Sequence, residues 1–259
     1  MALGYDALGA NTTANNGTAV GYAALTANTT GASNTAVGAY ALDANTTGAQ
    51  NTAMGLEAGS AVTTGTYNDF FGFRAGDVAT TGSYNVGIGS NTLGATTTAS
   101  GNTAVGANAL VLNTTGANNT AVGYTSMDEC TTASNNVALG FGAGHSITTG
   151  GNNTLLGYNA GAEITTGTRN VLIGYHAGDA ITTLGDTVAI GDNALGANTS
   201  GEYNVAVGKN AIQTNTTGAH NTGIGGLALT ANTTAGECTA VGYLALNDNT
   251  TLSLNNAYA

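Results

Sequence analysis

Apolar, small and polar residues follow one another along this chain in a pattern that returns every seventeen residues. The clearest copy is NTAVGAYALDANTTGAQ, residues 34–50. Positions are counted here from its Asn. Position 2 is mostly Thr or Val, position 3 mostly Ala, and position 4 is apolar in every copy, as in Val20, Val37, Met54, Phe71 and Ile88. Apolar or β-branched residues alternating with a small one have the two-residue period of a strand. Position 5 is Gly in all fifteen copies: Gly4, Gly21, Gly38, Gly55, Gly72, Gly89, Gly106, Gly123, Gly140, Gly157, Gly174, Gly191, Gly208, Gly225 and Gly242. The strand is expected to bend there, where only Gly carries no Cβ penalty. A second short strand of the form Tyr-x-Ala-Leu (Tyr22 to Leu25) is expected next, then an Asn-Thr-Thr-Gly turn.

Gly at this density, Thr pairs and β-branched residues oppose helix. The pattern predicts an all-β fold, a parallel β-solenoid (β-roll) of fifteen 17-residue coils forming one repetitive domain over residues 1–259. Coils stacked about 4.8 Å apart would span roughly 70 Å. One coil buries too little apolar surface to offset the entropy of ordering seventeen residues, so stability must come from stacking. Neither end shows a polar cap, and continuation end to end is the expectation for such open edges.

The core is legible in more detail. Position 9 is Leu, Ile or Met in ten coils and Gly in five: Gly59, Gly76, Gly144, Gly161 and Gly178. In those five, position 12 changes from its usual Asn to Val62, Ala79, Ile147, Ile164 and Ile181. The apolar volume lost at 9 reappears at 12 in four of the five, so both positions should face one core. Coils four and five, and nine to eleven, carry the Gly type, so like stacks on like.

Position 13 is Thr throughout and position 14 is Thr except for Ser200. Stacked coils turn these, and the Asn at position 1, into ladders that bond coil to coil. Thr ladders also suit ice binding, although adjacent strand residues face opposite sides. Asn-Thr-Thr or Asn-Thr-Ser is a glycan acceptor pattern, present at Asn11, Asn28, Asn45, Asn113, Asn198, Asn215, Asn232 and Asn249. Position 6 is aromatic in eight coils, including Tyr5, Tyr22, Phe73, Tyr124, Phe141, Tyr158, Tyr175 and Tyr243. Such a column packs between coils or subunits, or stacks on sugar rings.

Composition narrows the function. Charged residues make up 7%, against about 25% in typical soluble chains. Three Lys and Arg against fourteen Asp and Glu give a net charge of −11. That excludes a basic nucleic-acid surface and electrostatic docking on anionic lipid. No apolar run approaches the roughly 18 residues of a membrane span, and no signal peptide is visible. His145, His176 and His220 occupy different repeat positions and the acids are scattered, so no catalytic, metal or cofactor constellation is expected. G-x-G matches such as Gly87-Ile88-Gly89 arise from the repeat. Cys130 and Cys238 lie more than six coils apart, roughly 30 Å by the stacking distance, too far for a disulfide.

The segments 34–38, 102–106, 119–123 and 204–208 (NTAVG, NTAVG, NTAVG, NVAVG) resemble the head repeats of trimeric autotransporter adhesins of the YadA type. They are also similar to solenoid repeats in the shafts of phage tail fibres. The resemblance implies a left-handed parallel β-roll, three chains wide, on a cell or virion surface. The period departs from it: seventeen here, about fourteen in that family, the extra residues lying near Asn-Thr-Thr-Gly. The sequence is thus expected to encode a structural or adhesive extracellular fibre component. Its partners would be copies of itself, as a trimer or end-to-end filament, and surface glycans, with no nucleic acid and no membrane insertion. The alternatives are a glycosylated self-assembling filament and an ice-binding protein.

Overall fold

The computed structural model describes all 259 residues, Met1–Ala259. They form two compact units, Met1–Ala133 and Ser134–Ala259. The first carries eight strands from β1 (Ala2–Leu3) to β8 (Thr120–Val122), and the second eight from β9 (Val137–Leu139) to β16 (Asn256–Tyr258). Each strand after the first covers repeat positions 2 to 4. Within each unit they pair in chain order, parallel, in a register of seventeen: Thr35, Ala36 and Val37 lie opposite Thr52, Ala53 and Met54, and Thr154, Leu155 and Leu156 opposite Val171, Leu172 and Ile173. There is no helix. The chain is a parallel β-solenoid of 17-residue coils.

The second strand expected at Tyr22–Leu25 does not form. That stretch is a run of turns, because positions 7 and 9 hold positive φ: Ala23 at 55° and Leu25 at 53° in one coil, Tyr40 at 57° and Leu42 at 50° in the next. A side chain there is disfavoured by about 1–2 kcal/mol. Inter-coil bonds hold the conformation, such as Ala23 N–H to the Tyr5 carbonyl (2.9 Å) and Leu25 N–H to that of Ala41 (3.0 Å).

The Gly at position 5 answers to two demands at once. Its φ lies between 122° and 142°, and a Cβ on Gly38 would run into the carbonyl of Gly55, the same position one coil on. The bend inferred from sequence is real, and the close approach of the neighbouring coil closes the position to any side chain.

Positions 9 and 12 share one core, as inferred: Leu25, Leu42, Val62, Ile147, Ile164 and Ile181 are all fully buried. Position 3 is a third inward position that the pattern did not reveal. It explains the coil that lacked compensation. Gly76 pairs with the small Ala79, and the volume is filled by Phe70, whose ring atoms lie 2.5–2.7 Å from where a Gly76 Cβ would stand. Leu155 and Leu172 do the same beside Gly161 and Gly178. Two ladders of buried Asn line the remaining interior. At position 1, Asn34 Nδ2 donates to the Gly48 carbonyl (2.7 Å), while its Oδ1 accepts from the Asn51 N–H (2.9 Å). At position 12, Asn45 Nδ2 donates to Asn28 Oδ1 and to the Gly48 carbonyl, both at 2.9 Å. The second ladder stops at each change of coil type. Asn45 Oδ1 faces the Val62 coil and has no donor, whereas within one coil type the ladder runs on, Cys130 Sγ standing 3.8 Å from Asn113 Oδ1.

Candidate functional site

Strand geometry divides the three residues of each strand. Position 3 points inward, so positions 2 and 4 point out together. In most coils the residue facing the core is the small one, Phe70, Leu155 and Leu172 being the large exceptions, and at position 4 an apolar residue faces solvent. Met54 is 43% exposed and Ile88 42% in the first unit, Leu139 and Ile224 each 40% in the second. Beside this column runs position 2, of Thr and Val. From Thr18 to Val241, Asp69 is the single charged side chain in either column. Seven three-residue strands and the two-residue β1 in the first unit, and eight three-residue strands in the second, make a face of roughly 38 by 10 Å on each unit. About half of that area is the apolar position 4 column and the rest is Thr and Val, a continuous and nearly uncharged surface of the kind that is commonly functional.

The charge sits on the other sides of the coil. All three cations meet an acid at the same repeat position one coil away: Arg74 with Glu57 (2.6 Å), Arg169 with Asp186 (2.6 Å) and Lys209 with Asp192 (3.3 Å). The Arg169 guanidinium holds the Asp186 carboxyl below the usual carboxylate range. Asp43 and Asp77, both at position 10, are raised, chiefly by partial burial.

The Thr columns divide their roles. Position 13 hydroxyls donate along the stack to position 13 carbonyls, Thr29 to Thr46 (3.0 Å), Thr46 to Thr63 (3.1 Å) and Thr216 to Thr233 (3.0 Å) among them. Position 14 is exposed in every coil, and the two residues lie in a bend rather than on opposite faces of a strand. Of the candidate glycan acceptors, Asn28, Asn45, Asn113, Asn198, Asn215 and Asn232 are fully buried. Their amide nitrogens, to which a sugar would attach, donate to interior carbonyls at 2.8–3.1 Å. These six are closed to attachment in the folded coil. Asn11 is exposed and Asn249 half-buried.

Aromatic residues stack along the coils. Phe141, Tyr158 and Tyr175 form a ladder with centroids 5.1 and 5.4 Å apart, and Tyr5 and Tyr22 stand 5.5 Å apart. Their ring faces are turned on each other, which leaves edges and hydroxyls rather than faces for a sugar. A second aromatic column, at position 17, holds Tyr67 on Tyr84 and Tyr203 on His220; two Tyr in adjacent copies at that position were its sequence signal.

The histidines remain apart in role. His176 Nδ1 lies 2.9 Å from Asp179 and its ring meets Tyr175 edge-on. His220 lines a shallow cleft of about 230 Å³ with Ala219, Gly236, Glu237, Ser253 and Leu254. His145 is half-buried at position 10. No three His, Cys, Asp or Glu residues form a group that could hold a metal ion. No helix is long and apolar enough to cross a membrane. Both cysteines are buried and free, and burial pushes the Cys130 thiol up to about 11.

No family model, curated protein or solved structure matches the chain.

Proposed function

We propose that this chain is a structural component of an extracellular fibre, at a cell or virion surface, in which copies associate side by side through the outward strand face and the fibre continues along the solenoid axis. One observation carries the reading: the strand face of each unit bears an unbroken apolar column at position 4 beside a nearly uncharged column of Thr and Val, in a chain of net charge −11. Like-charged copies repel wherever their acids meet, and the strand face is a side on which they can meet without acids. The likeness of the NTAVG segments to adhesin heads and tail-fibre shafts supports the same arrangement, three chains wide. An adhesive role toward surface glycans fits such a scaffold, with its aromatic edges exposed. The ice-binding alternative has lost the position 13 hydroxyls, which are committed to neighbouring coils, and the glycosylated filament has lost six acceptors to the core.

The test is the mass of the assembly by light scattering, alone and with Val105→Lys and Val207→Lys, one on the strand face of each unit. The wild type should be an assembly of three chains, or of a multiple of three where such assemblies join end to end. The double variant should be a single chain with an unchanged circular dichroism spectrum. A wild type that stays a single chain as concentration rises overturns the reading.

A further inference from the structure

The tyrosine stacks are arranged for a chemistry that the fibre role does not require. Tyr67 and Tyr84 occupy position 17 of consecutive coils, with ring centroids 4.9 Å apart and planes within 5°. Both are open to solvent, at 46% and 62% exposure. Their backbones are fixed by the coil stack: Tyr84 N–H donates to the Thr66 carbonyl (3.0 Å), and Tyr67 N–H to that of Ala49 (3.2 Å). The adjoining residues of the column, Gln50 and Gly101, are not aromatic, so each ring has a single ring partner there.

We propose that Tyr67 and Tyr84 are a site of oxidative cross-linking, joined as dityrosine by a one-electron oxidant of the haem peroxidase class with hydrogen peroxide. Each phenol gives up one electron and its hydroxyl proton. The two carbons ortho to the oxygens form one C–C bond, and the ortho hydrogens move to the oxygens to restore both phenols. Two electrons and two protons leave, and one hydrogen peroxide becomes two waters. The radicals need not find each other by diffusion, since the fold holds the rings in contact. Exposure lets the oxidant reach them and lets the rings turn from a parallel stack to the geometry of the new bond. The product ties coil four to coil five covalently, where a disulfide is absent. Tyr158 and Tyr175, with centroids 5.4 Å apart and planes at 15°, place a second such pair in the other unit.

Arg74 lies between Tyr67 and Tyr84, and the next basic residue is Arg169, so tryptic cleavage of the unfolded product separates residues 1–74 from 75–169 unless the link holds them. The folded chain, treated with peroxidase and peroxide and then unfolded and digested, should yield these fragments joined, with the loss of two hydrogens. The yield should exceed that from the chain oxidised in urea by about tenfold or more. Tyr84→Phe and Tyr67→Phe, which keep the stack and the circular dichroism spectrum, should each abolish it. In an equal mixture of isotopically labelled and unlabelled chains, labelled fragments should be joined to labelled. Fragments that separate, that stay joined in Tyr84→Phe, that join equally well in urea, or that pair at random between labelled and unlabelled chains overturn the proposal.

Discussion

Converting coil three from the Leu type to the Gly type tests the core most closely. Leu42→Gly alone removes a fully buried side chain. Large-to-small changes of this kind cost about 2–5 kcal/mol. Leu42 sits at φ 50°, where Gly is favoured by about 1–2 kcal/mol, so the net loss should be about 0–4 kcal/mol and nearest 2. Adding Asn45→Ile returns a buried side chain worth about 1.5–3 kcal/mol. It also removes a donor from Asn28 Oδ1. Asn45 Oδ1, however, has no donor in the parent chain, so the orphaned acceptor moves by one coil and does not multiply. The Gly48 carbonyl keeps its bond from Asn34 Nδ2 (2.7 Å). The new coil would hold the Ala, Gly and Ile set already present in Ala138, Gly144 and Ile147. The double variant should therefore lie within about 1–2 kcal/mol of the parent. Urea midpoints at an unchanged m-value are the assay. A double variant no more stable than Leu42→Gly would refute the shared core.

Two further outcomes follow from the backbone and from the carboxylates. Gly38→Ala puts a Cβ against the Gly55 carbonyl at φ 138°, whereas at Gly226 the nearest atom to a Cβ is Tyr243 Cδ2 at 3.5 Å. The first should cost several kcal/mol and the second less than about 0.5 by thermal melting; equal effects would contradict the close approach of the coils. Asp43 and Asp77 have folded pKa values raised above the usual 3.8 by burial, so their folded forms bind protons first on acidification. Their contribution grows as pH falls through the raised values toward the unfolded one. Asp186, lowered by Arg169, acts in the opposite sense but below 3.8 and at the surface. The melting temperature should rise as the pH is lowered from 7 toward 3.8, and a steady fall over that range would contradict the assignment.

The coil, its length and the 9–12 exchange were legible because each leaves a mark at a fixed interval. Gly at position 5 is constant because any other residue collides with the next coil, and the Gly and Ile exchange is visible because core volume is conserved. What was hidden follows from the direction of side chains. Val37 and Ala36 are both apolar, and nothing in their identity says that Ala36 is buried while Val37 faces solvent. That single ambiguity concealed both the third core position and the exposed strand face. The turns at positions 7 and 9 were hidden for a different reason. Tyr40 and Leu42 carry side chains that argue for strand, and inter-coil hydrogen bonds hold them at positive φ against that preference. The buried Asn of the Asn-Thr-Thr segments read as turn residues and acceptors, since polarity alone suggests the surface.

The central claim is the register of seventeen that places each strand on its own copy one coil away. It is tested most directly by engineered disulfides in a chain with Cys130→Ala and Cys238→Ala. Val20 and Val37 are register partners on the outward face, and parallel neighbours lie about 4.8 Å apart, within the span of a disulfide. Val20→Cys with Val37→Cys should oxidise readily without loss of stability. Val20→Cys with Thr30→Cys, whose second residue lies in the exposed bend of the same coil, should remain reduced. If the second pair closes as readily as the first, or the first does not close, the solenoid register is wrong.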